Sequence, residues 1–238
     1  MLNQQQKVKL QDIPAFARLS PNIVRQLEFS SYIYRLDADQ YLYRQGEIAR
    51  AIYVVYSGGV RLVEHTSGTQ DVQLKLYGEG DVFGLLAISG EYPYPASIQA
   101  LSKSVIVGVP GSSARTLMLE YPELALVMID LLVEHVHHSH SRIRQFASER
   151  VERRLARALL HYADKFGIIC EGVISINVDL SQKDLAEFIG TTIETVNRTL
   201  KVWEQRQYIQ LSRQHINLID RLALMAVAEE KLYMGQQL

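Results

Sequence analysis

The chain has 238 residues, 47% of them hydrophobic and 21% charged, with a formal net charge of -1. That is long enough for two domains with their own cores, and it excludes a chain that binds nucleic acid through overall positive charge. Its single cysteine, Cys170, excludes an intramolecular disulfide and a cysteine-ligated iron–sulfur cluster within one chain. No apolar run reaches the ~20 residues of a membrane span, and MLNQQQKVKL has no hydrophobic signal core. A soluble, cytoplasmic chain with no membrane partner is expected.

Residues 1 to 28 read as a helical lead-in punctuated by Pro14 and Pro21. From Tyr32 the period changes to two. Tyr32, Tyr34 and Leu36 alternate, Ile52 to Tyr56 is a β-branched and aromatic run, and Val60–Val63, Val72–Leu76, Ile98 and Val105–Val109 continue the pattern. Glycines at 46, 58, 59, 78, 80 and 84 fall between these runs. Short, evenly spaced strands with glycine turns predict an antiparallel roll.

Pro122 opens a long helix expected to run to about Ala147. Ile129, Leu132, Val136, Ser139, Ile143 and Phe146 repeat at spacings of three and four, an a/d seam interrupted only by Ser139. A small roll cannot cover such a seam along its whole length, so a parallel homodimer is the expected partner. Ser148 can cap the next helix, from Glu149 to Phe166, which makes Ala147 to Arg150 the expected hinge. Val173–Val178 reads as a strand.

Leu180 to Trp203 carries the sharpest signal. Ser181 and Asp184 stand in capping-box spacing, Leu185, Ala186 and Ile189 form an apolar face, and Gly190 ends the helix. A second helix starts near Thr192. Its Val196, Leu200 and Trp203 face inward at i, i+4 and i+7, leaving Glu194, Asn197, Arg198 and Lys201 on the opposite side. Tyr208–Leu211 and His215–Ile219 flank Ser212-Arg213-Gln214 as a hairpin, a wing with Arg213 at its tip. Asp220 can cap a last helix. Helix, turn, helix and wing form a DNA-binding arrangement. The basic residues are gathered locally, at Arg150, Arg153, Arg154, Arg157, Arg198, Lys201, Arg206 and Arg213.

A glycine-punctuated β-roll, a long dimer helix and a winged helix-turn-helix, in that order, resemble the CRP/FNR superfamily of bacterial transcription regulators. The resemblance covers nearly the whole chain and is most specific at GEIARAIYVVYSGGVRL (46–62), GEGDVFG (78–84) and LSQKDLAEFIGTTIETVNRTL (180–200). It implies an α+β architecture: an effector-sensing roll with its dimerisation helix over residues 1–147, and a winged helix-turn-helix over 148–238. It further implies a homodimer on a pseudo-palindromic DNA operator, a small-molecule effector and RNA polymerase as a partner. The family's E-T/S-x-x-R pattern falls on Glu194, Thr195 and Arg198. Arg198 resembles the fork donor to guanine and Glu194 the acceptor from cytosine, with Asn197 and Lys201 beside them. The cyclic-AMP branch has an arginine before that glutamate. Here it is Ile193, so the other base reader is apolar or is Asn197. Ser181, Gln182 and Lys183 resemble phosphate contacts, and Arg213 reaches DNA from the wing.

The effector side departs from the family. Cyclic-nucleotide binders carry a glutamate for the ribose and an arginine for the phosphate where this chain has Leu85 and Tyr94, the latter followed by Pro95. An anionic phosphate in a partly dry pocket needs a cation or aimed amides. An effector other than cyclic AMP is therefore expected, lined by Gly84, Leu85, Leu86, Ile88 and Tyr94, with Ser139 and His140 from the dimer helix. Leu86 stands where the carbon-monoxide branch has its haem histidine, and no cofactor is assigned.

Glu134-His135-Val136-His137-His138-Ser139-His140 offers metal-ligand spacings, but no carboxylate or cysteine clearly completes a site. A hydrophilic helix face is favoured, with His135 and His140 at the g and e positions that pair across a parallel dimer. Nucleophile elbow, phosphate loop and zinc-protease signatures are all missing, so no enzyme is expected. The alternative reading is a small-molecule-binding regulatory roll whose C-terminal domain binds protein.

Overall fold

A computed structural model describes residues 9–66, 71–170, 172–212 and 215–229. The chain divides into two compact units, Met1–Ser139 and His140–Leu238. In the first, two 3-10 turns, Leu10–Asp12 and Pro14–Phe16, precede α1 (Pro21–Phe29), which buries Ile23, Val24 and Leu27. Among the described residues eight strands follow: β1 (Tyr32–Leu36), β2 (Tyr41–Tyr43), β3 (Ala51–Ser57), β4 (Gly59–Glu64), β5 (Val72–Gly78), β6 (Val82–Phe83), β7 (Ser97–Ala100) and β8 (Ser104–Pro110).

They form two antiparallel four-stranded sheets, in the orders β1-β8-β3-β6 and β2-β7-β4-β5. The apolar set on β3 (Ile52, Val54, Val55) and on β8 (Ile106, Val107, Val109) is buried in one core with α1. Gly58 makes the β3–β4 turn possible. Its φ is +82°, and a Cβ there would lie 2.5 Å from Ser104 Oγ, the atom that accepts from the Gly59 amide at 3.0 Å.

After β6 a 3-10 helix, Leu85–Ile88, lies against the start of α2 (Gly111–Glu120). The approach is close enough that a Cβ on Gly111 would meet the Ala87 carbonyl. Arg115 of α2 donates to the Ile88 and Ser89 carbonyls. The long helix α3 (Pro122–Ser148) buries only Leu124, Val127 and Met128 in its own chain.

In the second unit α4 (Val151–Phe166) packs Leu155, Ala156, Leu159 and Tyr162 inward. Then come β9 (Gly167–Cys170), β10 (Val173–Ile176), α5 (Gln182–Ile189), α6 (Ile193–Gln205), β11 (Ile209–Leu211), β12 (Ile216–Leu218) and α7 (Arg221–Glu229). The sheet order is β11-β12-β10-β9, all antiparallel. Asp220 caps α7 by accepting from the Ala223 amide.

Two local expectations are corrected. Ser148 does not cap the fourth helix: it is the last residue of α3, its hydroxyl donates to the Arg144 carbonyl, and α4 starts at Val151 behind Arg150. Strand β9, unforeseen in the sequence, directly follows α4 and pairs with β10. Within the second unit, Arg142 and Phe146 near the end of α3 pack on residues of α5 and its turn. Arg213 and Gln214, the wing tip, lie outside the described residues.

Candidate nucleic-acid interface

The two helices are held by caps that the sequence spells out. Ser181 Oγ accepts from the Asp184 amide at 3.1 Å while Asp184 Oδ2 accepts from the Ser181 amide at 2.9 Å, a complete capping box. Gly190, at φ +64°, ends α5 in the left-handed conformation, and its amide bonds the Ala186 carbonyl. Thr192 caps α6, its Oγ1 accepting from the Thr195 amide at 3.3 Å and contacting Thr195 Oγ1 at 3.1 Å. The inner face of α6 is Val196, Thr199, Leu200 and Trp203, all buried. Glu194, Arg198 and Lys201 are exposed on the other side, with Asn197 half-buried beside them.

Around the start of α5 the residues differ in availability. Lys183 is exposed but leans toward Glu187 Oε1 at 3.6 Å, Gln182 is half-buried, and the Ser181 hydroxyl is engaged by Asp184.

The basic cluster of the sequence is partly structural. Arg154 Nε donates to the Ile189 carbonyl at 2.9 Å, and Arg142, which lies outside that cluster, donates from Nη2 to the Phe188 carbonyl at 2.9 Å. Cations thus satisfy the free carbonyls at the α5 C-terminus, where the helix dipole is negative. The two guanidiniums also flank Phe146, at 5.1 and 5.4 Å from its ring centroid. Burial lowers the Arg142 pKa to about 10. Arg157 pairs with Glu149 at 3.3 Å and donates to the Ala228 carbonyl, so it too is engaged within the unit. No sequence signal separates these arginines from the exposed Arg198, since all occupy helical positions among polar neighbours.

On the effector side, Gly84 takes φ +77°, and a Cβ there would lie 2.8 Å from the Ala51 carbonyl. Leu85 is half-buried and Leu86 exposed on the 3-10 helix. Tyr94 points the other way, into the roll. It is 3% exposed, stacks on Tyr43 with ring centroids 3.6 Å apart, and donates its hydroxyl to the Ala51 carbonyl at 3.0 Å. Tyr53, Tyr77 and Phe83 complete an aromatic cluster around Tyr43. Burial raises the pKa of Tyr43, Tyr53 and Tyr77 above the ordinary tyrosine value. Ser139 and His140 are exposed on α3, the Ser139 hydroxyl donating to the His135 carbonyl. Among the described residues no group of three or more His, Cys, Asp or Glu side chains is set to hold a metal, and no helix is long and apolar enough to cross a membrane.

A roll followed by a long helix and a capped helix-turn-helix with a wing defines a sensor-plus-DNA-binding regulator. Residues 34–121 match the family of cyclic nucleotide-binding domains, and residues 153–227 match the Crp-like helix-turn-helix domain. The chain belongs to the CRP/FNR superfamily of DNA-binding transcription regulators. It is 25% identical over 179 residues to the CRP-like cAMP-activated global transcriptional regulator of Mycobacterium tuberculosis, covering 75% of this chain and 80% of that one. It is also 25% identical over 183 residues to the anaerobic regulatory protein of Bacillus subtilis, covering 76% and 77%. The solved structure of FixK2 from Bradyrhizobium japonicum superposes with a TM-score of 0.73 at 20% identity, covering 84% of this chain and 98% of that one. Regulators of this family bind DNA and dimerise.

Proposed function

We propose that two copies of this chain join along α3 and present their α6 helices to the two half-sites of a pseudo-palindromic operator, under control of an effector other than cyclic AMP. The observation that carries the dimer is the seam. Ile129, Leu132, Val136, Ile143 and Phe146 are 51%, 45%, 49%, 66% and 42% exposed in the single chain. Apolar residues left in water at a and d positions are what a second helix of the same kind covers. Each α6 would then read bases with Glu194, Asn197 and Arg198, while Lys201, Ser181, Gln182, Lys183 and Arg213 hold phosphates.

The Mycobacterium tuberculosis relative is named for activation by cyclic AMP. In this chain Tyr94, in the place of the phosphate-binding arginine, is a neutral side chain committed to Tyr43 and Ala51. That supports a different effector, met by Gly84, Leu85, Leu86, Tyr94, Ser139 and His140. Effector binding would bias the packing of the two α3 helices, and residues 140–148 would carry the change to α5 through Arg142 and Phe146. The regulator would act on RNA polymerase in the cytoplasm and catalyse nothing.

Sedimentation equilibrium on the wild type and Val136→Glu tests the seam. A charge at an a position should convert dimer to monomer and abolish operator binding. A Val136→Glu protein that remains a dimer would place the interface elsewhere.

A further inference from the structure

The side of α3 that packs on the roll changes character partway along. At about 100° per residue, Leu124, Val127, Met128, Leu131, His135 and His138 fall within an arc of about 100°. The first three are buried, and Leu131 packs against the same core. The seam of Ile129, Leu132, Val136 and Ser139 is centred about 110° further round the helix. His135 and His138 therefore continue, as imidazoles, the side that Leu124 to Leu131 turn to the roll. Both are exposed, so a ligand can reach them.

The roll brings a lysine toward them. Lys75 of β5 stands directly opposite Leu62 of β4 and two residues before Tyr77, so the three side chains share one face of the sheet. That face is the inner one: Leu62 packs against the core, and Tyr77 is buried against Phe83 with ring centroids 4.9 Å apart. Lys75 is half-buried, its ammonium 5.0 Å from the centre of the Tyr77 ring. Its charge reaches α3. His135 is held below the ordinary histidine value first by desolvation, then by Lys75, then by His138. Glu134 falls just outside the arc, and no carboxylate is among the groups that shift His135. All of these residues belong to the first compact unit.

An ammonium and two imidazoles gathered in partly dry surroundings repel one another when protonated, and an anion among them relieves that repulsion. Beside them Leu62, Tyr77 and Leu131 offer apolar surface. We infer that Lys75, His135 and His138 form the anion-binding end of the effector site. The effector is a small amphipathic acid, its carboxylate or phosphate held by these three side chains and its apolar body laid on Leu62, Tyr77 and Leu131. Tyr94, by contrast, is committed to Tyr43 and Ala51 and offers an anion no charge.

The inference rests on the reading of the roll as an effector sensor, and the experiment keeps the two apart. Benzoate and phenyl phosphate are the probes, with benzyl alcohol as the neutral control. Each is titrated into the full-length protein while His135, assigned with His135→Gln, is followed by proton NMR. One anion or both should bind and raise the His135 pKa, and the tighter of the two tells carboxylate from phosphate. Benzyl alcohol should bind about tenfold more weakly, and Lys75→Met should weaken the anion by about tenfold. Methionine keeps an unbranched chain over Tyr77, so the roll retains its packing, and Lys75→Arg should retain binding. If neither anion binds, if the alcohol binds as well, or if Lys75→Met changes nothing, the inference is overturned and a sensor of neutral molecules remains. Micromolar cyclic-AMP binding that Lys75→Met abolishes would support the anion site and overturn the exclusion of cyclic AMP. Cyclic-AMP binding that survives Lys75→Met would overturn both.

Discussion

The guanidinium of Arg142 donates to the Phe188 carbonyl at 2.9 Å and lies 4.3 Å from the centre of the Phe188 ring. One residue thus ties the last turns of α3 to the C-terminus of α5, the helix that precedes the recognition helix. Arg142→Ala should remove a charge-assisted hydrogen bond and a ring contact, costing about 1.5–3 kcal/mol. Lysine should restore little, because it lacks the flat surface that stacks on the ring. The chain has one tryptophan, Trp203, and it is buried in α6. Its fluorescence during urea unfolding reports on this unit alone. Unchanged midpoints in Arg142→Ala would reduce the contact to a surface coincidence.

Gly190 stands where two constraints meet. Its φ of +64° disfavours a side chain, and a Cβ would lie 2.8 Å from the Phe146 ring. Gly190→Ala should destabilise the unit by about 1–2 kcal/mol from the backbone alone. Pairing it with Phe146→Ala should recover part of any further loss, and denaturation of both variants measures it.

These contacts also mark what the sequence could say. The helix-turn-helix was legible because its signals are local: Ser181 with Asp184, Gly190, and the spacing of Val196, Leu200 and Trp203. The roll was legible as a class, through alternation and glycine turns. Its pairing was not, since β1 finds β8 about seventy residues away, where Tyr32 sits opposite Gly108. Strand β9 was hidden because Gly167–Cys170 follows α4 without a break. Arg154 and Arg157 read as part of a basic patch, and only packing shows that they end on carbonyls and Glu149. The stacking of Tyr94 on Tyr43 had no local signal, because it depends on distant segments of the roll meeting.

On the proposed reading of the roll, with Leu85 and Tyr94 standing where cyclic-nucleotide binders carry the ribose acceptor and the phosphate cation, cyclic AMP should show no binding by isothermal titration at physiological concentration. Tyr94→Phe should cost about 0.5–1.5 kcal/mol of stability through the lost bond to Ala51. A micromolar cyclic-AMP site in the wild type would overturn the account of the roll.

His135 is held below the ordinary histidine value of 6.5, first by desolvation, then by Lys75 of β5 and His138 on its own helix. Below pH about 6.5 the folded chain binds fewer protons here than the unfolded chain. Stability should therefore be full above that pH and decline as the solution is acidified through the lowered pKa. His135→Gln should flatten the decline between pH 7.5 and 5.5 in thermal unfolding scans. Superimposable profiles would make His135 a solvated residue of the α3 surface.

The central claim, a two-fold dimer reading DNA with paired α6 helices, is tested most directly by a hydroxyl-radical footprint on an operator selected from random DNA. It predicts two symmetric protected tracts related by a dyad, with half-site centres about one helical turn, roughly 34 Å, apart. A single asymmetric tract, or two tracts at a spacing that is no multiple of a turn, would contradict it.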